Sequence, residues 1–377
     1  MKIVIAPDSF KGSLTAPQAA QAIERGIHNA FPAAVTVIVP MADGGEGSLE
    51  PIVHSAGGTF VGCTVQGPLG TSVDAAYGML SRDKTAVIEM ARASGLLLVS
   101  PAERNPMLTS TYGTGELIRH ALDQGCRRFI LALGGSATND GGAGMLEALG
   151  MSFYDASGDV IHSAGGNLGR IAVIDDTGFD SRIAESDFLI ACDVNNPLLG
   201  ASGASAVYAP QKGASPGDIE RLEQNMHHWA DLIEAKMGLR LHDYPGAGAA
   251  GGLAGAFLAL FPSRLRPGIE VVIASTGLRD HLSGAALVIT GEGRIDAQTA
   301  SGKAPLGVAR EAKSLGIPVI ALAGAVGPHL DALYEDGISC AFSIVNAPMT
   351  LEEAMSRASE LLEHAAEQAV RAFLAGR

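Results

Sequence analysis

The chain opens Met1-Lys2-Ile3-Val4-Ile5-Ala6-Pro7-Asp8-Ser9-Phe10-Lys11-Gly12-Ser13-Leu14-Thr15. Ile3–Ala6 is a short, wholly apolar run stopped by Pro7, which predicts a buried strand. Thr15 and Gln18 then form a capping box ahead of a helical stretch reaching Ala30. Val35–Val39 predicts a second buried strand before Pro40. After the loop Asp43-Gly44-Gly45, a second helix ends near Gly57-Gly58. Strand, helix, strand, helix in this order predicts a parallel sheet with helices on both faces.

Further along, the period changes. Thr59–Gln66, Ser72–Leu80 and Thr85–Glu89 read as strands joined by turns such as Gly67-Pro68-Leu69-Gly70, with no helix between them. A helix near Gly115–Gln124 follows, then strands Phe129–Leu133 and Phe188–Cys192, and a long helix after Ser215-Pro216, where Ser is a good N-cap and Pro fits the first turn. From Leu287 the alternation returns, with strands Leu287–Thr290, Pro318–Ala323 and Cys340–Ile344 separated by helices near Pro305–Leu315 and Leu330–Glu335. Thr350 and Glu353 form another capping box, opening a closing helix that nearly reaches Arg377. The fold class expected is α/β. A doubly wound, Rossmann- or flavodoxin-like parallel-sheet domain (1–58 plus 285–377) carries an inserted mixed α/β domain (59–284).

Composition limits the function. The 377 residues suit two domains, and 47% hydrophobic with 18% charged residues is ordinary for a globular chain. Forty acidic against 26 basic residues give a formal charge of −14, and the cations come singly or in short pairs such as Arg127-Arg128. Such a surface repels phosphate backbones and anionic lipid, so neither nucleic acid nor membrane is an expected partner. Cys63, Cys126, Cys192 and Cys340 lie far apart, with no metal or disulfide spacing. The apolar start is too short for a signal peptide, and the expected location is the cytoplasm.

In open α/β sheets, ligands bind beyond the carboxyl ends of the strands. After the first expected strand come Asp8, Ser9, Lys11 and Gly12. After the second come Asp43, Gly44, Gly45 and Glu46, and after Leu287–Thr290 come Gly291, Glu292, Gly293, Arg294 and Asp296. Glycines let backbone N–H groups approach a phosphate, Lys11, Arg294 and Lys303 can neutralise it, and the carboxylates suit a hard cation. Phosphoryl transfer needs these three kinds of group. Each Asp after a strand also fits a plain helix cap. The inserted domain adds Gly134-Gly135-Ser136-Ala137-Thr138-Asn139-Asp140-Gly141-Gly142, a strand-to-helix loop able to wrap an anion or to serve as a structural turn. It also adds Cys192-Asp193-Val194-Asn195-Asn196-Pro197, where a carboxylate beside amides suits a hydroxyl-activating base.

Other signals carry less. Gly246-Ala247-Gly248-Ala249-Ala250-Gly251 fits G-x-G-x-x-G but follows no convincing strand, which argues against a dinucleotide site. Gly302-Lys303 is followed by Ala304, so there is no Walker A loop, and protein-kinase signatures are missing too. His227 and His228 are neighbours on the long polar helix and read as a solvated face.

Together, Asp8 to Leu14, Met41 to Gly47, Gly134 to Gly142 and Thr290 to Asp296 closely resemble the bacterial class I glycerate kinases, in the family's order and across essentially the whole chain. No departure from the family is seen in these four motifs. The resemblance implies Mg²⁺-dependent transfer of the γ-phosphate of ATP to D-glycerate, at the 2-hydroxyl to give 2-phosphoglycerate. It also implies a two-domain α/β fold with the active site in the interdomain cleft, and a role salvaging glycerate from glyoxylate, glucarate or related acids.

Within that frame Asp193 is expected to orient or deprotonate the attacking hydroxyl, while Lys11 and Arg294 hold the glycerate carboxylate or the γ-phosphate. Asp43, Glu292 and Asp296 are the candidate Mg²⁺ ligands. Asp8, Ser9, Gly12, Gly44, Gly45, Gly134, Gly135, Ser136, Thr138, Asn139, Asp140, Asn196, Gly291, Gly293 and Lys303 are the candidate substrate- and phosphate-binding residues. The rival readings are a kinase making 3-phosphoglycerate or acting on another small hydroxy acid, a non-catalytic hydroxy-acid sensor, and a nicotinamide-dependent reductase. The lobe that holds adenine and the oligomeric state are left open.

Overall fold

The computed structural model describes residues 1–45, 47–296 and 303–376, so that Glu46, Gly302 and Arg377 lie outside the described residues. In chain order its strands are β1 Lys2–Ile5, β2 Val35–Ile38, β3 Thr59–Gln66, β4 Ser72–Met79, β5 Thr85–Glu89, β6 Arg128–Ala132, β7 Ser152–Tyr154, β8 Val173–Asp175, β9 Asp187–Ala191, β10 Ser263–Arg266, β11 Leu287–Ile295, β12 Val319–Val326 and β13 Ile338–Ser343.

The chain divides into two compact units, one formed by Met1–Asp43, Glu50–Ala56 and Pro267–Arg377, the other by Gly44–Leu49 and Gly57–Arg266. The second boundary falls at Pro267, ahead of the expected 285, because helices Gly268–Thr276 and Leu278–Leu282 belong with the first unit.

In the first unit all strand pairs are parallel, in the order β13-β12-β11-β1-β2. Read from β2, this is a flavodoxin-like order in which the direction of progression reverses between β1 and β11. Ile3, Val4 and Ile5 are all fully buried, as a strand covered on both faces requires. On one face Ile3, Ile5, Leu287, Ile289, Ile320 and Leu322 form a core with Ile23, Ile27, Leu361 and Leu362 of helices Ala16–Ala30 and Ala358–Ala375. Gly26 lets these helices meet, since a Cβ there would lie 2.1 Å from the Glu363 carbonyl oxygen. The Thr15 capping box is formed as expected.

Three local expectations are corrected. β2 is an exposed edge strand, with Val35 60% exposed, because nothing pairs beyond it in the sheet order. β11 runs on to Ile295, so Gly291 to Ile295 are strand and not loop. The closing helix is two helices, Leu351–Ser356 and Ala358–Ala375, broken at Arg357; Thr350 does cap the first by accepting from Glu353 N–H.

The second unit holds a sheet ordered β10-β9-β6-β5-β4-β3. β5, β6, β9 and β10 are parallel, and the β3–β4 hairpin adds an antiparallel edge. Its core stacks Phe129 on Phe188 at 4.6 Å and sets Phe153 edge-on to Trp229. Helix Pro216–Met237 starts at the Ser215 capping box. Among the described residues, no helix is long and apolar enough to cross a membrane.

Candidate active site

Two groups of candidate residues stand at strand ends, one in each unit. In the first unit the end of β1 continues along β11, with Ala6 N–H donating to Ile289 O and Asp8 N–H to Gly291 O, both at 2.8 Å. Met41 N–H donates to Pro7 O at 2.9 Å, which fixes the path from β2 beside that of β1. Thr290 Oγ1 donates to Ala6 O at 2.7 Å. Gly291 is required by this crowding, because a Cβ there would lie 2.2 Å from Leu322 O.

These backbone bonds bring Asp43 and Glu292 into electrostatic reach of Asp8. Burial pushes the Asp8 carboxyl up to about 7, and the charges of Asp43 and then Glu292 push the same way, against the Ser9 N–H and Lys11. Like-charged carboxylates crowd together at a topological switch point, with Asp8 buried, and concentrate negative charge there. Lys303 offsets part of it, its Nζ 3.4 Å from Glu292 Oε2, from the N-cap position of helix Ala304–Ser314. Arg294 Nε lies 2.8 Å from Asp296 Oδ2, so the expected anion holder and the expected metal ligand pair with each other. Arg294 is 70% exposed, and an ion pair so wet is worth about 0–1 kcal/mol and opens at little cost. Lys11 and Gly12 are exposed on the loop after β1, where Gly12 takes φ +78°.

In the second unit the loop between β6 and helix Ala143–Ala148 is tied down on every side. Leu96 N–H donates to Gly135 O at 2.8 Å, Ala137 N–H to Ser94 O at 2.9 Å and Thr109 Oγ1 to Ala137 O at 2.9 Å. The expectation that Asp140 contacts ligand is corrected. It is wholly buried, and its carboxylate accepts from Thr111 N–H and Oγ1 and from Gly142 and Gly144 N–H, which makes it the internal brace of the loop. Burial raises its pKa against those hydrogen bonds. Thr138 and Asn139 are buried as well; Thr138 Oγ1 and Asn139 Oδ1 have no hydrogen-bond partner among the described residues.

Sequence reasoning missed Lys212. It is 2% exposed, and its Nζ donates to Ser136 Oγ at 2.8 Å and Thr138 O at 2.6 Å. Burial brings its ammonium down to about 7, with the Asp140 charge acting the other way. A lone lysine beside Gly213 gives no pattern to read; only the tertiary fold buries it. Glu89 was missed too. Its Oε1 accepts from Gly47 and Leu49 N–H at 2.8 and 2.9 Å and its Oε2 from Arg92 Nε, so it holds the loop that contains Gly44 and Gly45. A signal existed here, since Glu89 closes an otherwise uncharged strand at its carboxyl end.

Asp193 is exposed just after β9, on the loop that Asn196 organises by donating to Ser202 O at 2.7 Å and accepting from Tyr208 at 2.6 Å. Asn196 therefore shapes the loop, and its side chain is occupied within it. The glycine-rich stretch 246–252 packs against both loops. A Cβ at Gly248 would lie 2.2 Å from Pro197 O, and one at Gly251 2.1 Å from Thr138 O. These glycines serve close backbone approach. His228, expected on a solvated face, is half-buried and bonds Ile171 O at 2.6 Å, whereas His227 is exposed and pairs with Asp231.

The family model "Glycerate kinase family" matches residues 3–374. A glycerate kinase of Halalkalibacterium halodurans is 50% identical over 97% of this chain and 96% of its own. The glycerate 2-kinase of Escherichia coli K12 is 47% identical over 94% of this chain and 93% of its own. A solved structure from Salmonella typhimurium LT2, provisionally described as glycerate kinase 2, superposes with a TM-score of 0.91 at 47% identity, covering 100% of this chain and 99% of that one.

Proposed function

The chain belongs to the glycerate kinase family, and we propose that it transfers the γ-phosphate of ATP to the 2-hydroxyl of D-glycerate, giving 2-phosphoglycerate and ADP. The observation that carries the proposal is the carboxylate group Asp8, Asp43 and Glu292, with Asp8 pushed up to about 7 at the reversal point of a parallel sheet. That donor set is all oxygen, the ligand type a hard cation takes, and it fits Mg²⁺. Asp43 and Glu292 would hold the ion, with Asp296 available once Arg294 turns to an anion. When bound, Mg²⁺ supplies charge neutralisation for the transferring phosphoryl group.

The chain's own residues do the rest. Lys11, Arg294 and Lys303 supply cations for the phosphate oxygens or the glycerate carboxylate. Gly293 leaves room for close approach, since a Cβ there would meet nothing nearer than 3.6 Å, while Ser9, Gly12 and Gly291 shape the backbone beside it. Within the second unit, the braced loop at Gly134, Gly135 and Ser136 and the loop held by Glu89 that carries Gly44 and Gly45 have the glycine-rich backbone that suits an anion. Asp193, an exposed carboxylate on a fixed loop, takes the hydroxyl proton. In this reading the enzyme works in the cytoplasm, where its free cysteines stay reduced.

The test follows ADP release from the purified protein with Mg²⁺, ATP and D-glycerate. Release that requires both Mg²⁺ and glycerate is expected. ADP release no greater than a glycerate-free control sinks the substrate assignment.

A further inference from the structure

The first unit contains a cavity of about 530 Å³, within the range of roughly 300–1,000 Å³ usual for small-molecule sites. Its floor is the carboxyl end of the sheet, Gly293 and Arg294 on β11 and Gly324 and Ala325 on β12. Its walls are Phe10, Ile344 and Val345 with Met349, Ala354 and Met355. Gly293 and Gly324 lie side by side, since a Cβ on Gly324 would come within 2.6 Å of Gly293 O, so the floor there is bare backbone. A flat floor between apolar walls fits a planar ring, and two methionines let the walls adapt to it.

The polar groups of the lining are committed or stand at the rim. Ser13 Oγ donates to Met355 O at 2.8 Å and Thr350 Oγ1 accepts from Glu353 N–H at 3.2 Å, which leaves Lys11 and Arg294 as the rim cations. Glu292 precedes Gly293 on the same strand, and Asp8 precedes Phe10 on the same loop. Lys11 and Arg294 line the same cavity, so a ring seated in it has both cations beside its substituent. Glycerate is small and anionic and would leave the apolar walls bare.

We propose that this cavity receives the purine ring of the nucleotide donor, with Lys11 and Arg294 meeting its phosphates. The inference rests on the kinase reading above. It gives the base to the first unit and makes the wall residues determinants of nucleotide affinity, separate from those that recognise the acceptor.

Ala325 is exposed on β12, so Ala325→Trp fills the cavity from its floor without entering the core. Binding of Mg²⁺-ATP is measured by titration calorimetry without glycerate, and steady-state kinetics are run beside it. Affinity for Mg²⁺-ATP should fall at least about tenfold and KM for ATP rise in step, while KM for glycerate stays within about twofold. Photolabelling of the unaltered enzyme with 8-azido-ATP is the second measurement, expected to mark the peptide carrying Met349 and Met355, and it needs no variant to fold.

Unchanged nucleotide affinity in a folded A325W, or labelling confined to peptides of the second unit, overturns the cavity assignment even if glycerate is turned over normally. Weakened nucleotide binding in A325W by a protein inert toward glycerate upholds the cavity and removes the acceptor assignment. Failure of the unaltered protein to bind Mg²⁺-ATP removes both.

Discussion

Lys212 is an ammonium 2% exposed, held by Ser136 Oγ and Thr138 O and brought down to about 7 by burial. An unfolded lysine titrates near about 10.4, so between about pH 7 and 10.4 the unfolded chain binds the extra proton. Its contribution thus makes stability rise with pH across that window. Urea unfolding of Lys212→Met, which keeps the bulk of the stem, should lose this rise; the same slope in both proteins would mean Lys212 is charged throughout. At Asp193 the expectation concerns rate. Asp193→Asn should lower kcat by at least about a hundredfold, the scale of general base catalysis, with the urea midpoint unchanged because the side chain is exposed. Near-normal turnover would take the base role from it.

The same scale shows what was legible. Asp8 and Asp43 follow strands whose ends are readable, and the chemistry of a carboxylate is visible in its letter; Glu292 stands inside β11, which runs past its expected end. The motif around Asp140 suggests a ligand contact where the fold builds a brace, because a motif shows which residues gather and not which of them face inward. Lys212 left no trace at all.

At the scale of elements, the error at β11 has a physical cause. Gly291, Gly293 and Arg294 look like loop, yet β12 continues to pair with them, Arg294 opposite Ala325, and Gly291 is glycine because Leu322 O crowds it. Packing overrode propensity. The contact between helices Ala16–Ala30 and Ala358–Ala375 gives a sharper test at Gly26. Alanine there gains about 1 kcal/mol of helix propensity but forces a Cβ to 2.1 Å from the Glu363 carbonyl oxygen. Backbone cannot rotate away as a side chain can, and overpacking of this kind costs about 1–3 kcal/mol, so the clash wins. Gly26→Ala should lower the urea midpoint, and an unchanged or raised midpoint would show that the helices separate freely.

Across the whole molecule, the first unit is assembled from both ends of the chain and the second largely from one run, Gly57–Arg266. A fragment of residues 57–266 keeps its whole six-stranded sheet and the core around Trp229 and Phe188, and should unfold cooperatively by circular dichroism in urea. A fragment ending at Arg266 lacks β11, β12 and β13 and leaves β1 paired only to β2, so residues 1–43 within it should be open to protease. Protection of that segment would contradict the division. The return of strand and helix alternation after Leu287 made this interrupted architecture legible, while the boundary at Pro267 was hidden because helices give no sign of which sheet they cover.

The most direct test of the central claim is phosphorus NMR of the product formed from Mg²⁺, ATP and D-glycerate. The expected product carries its phosphate on the 2-hydroxyl, coupled to the single proton at C2. A phosphate on the 3-hydroxyl, coupled to two methylene protons, would contradict the assignment and require glycerate to lie the other way round in the site.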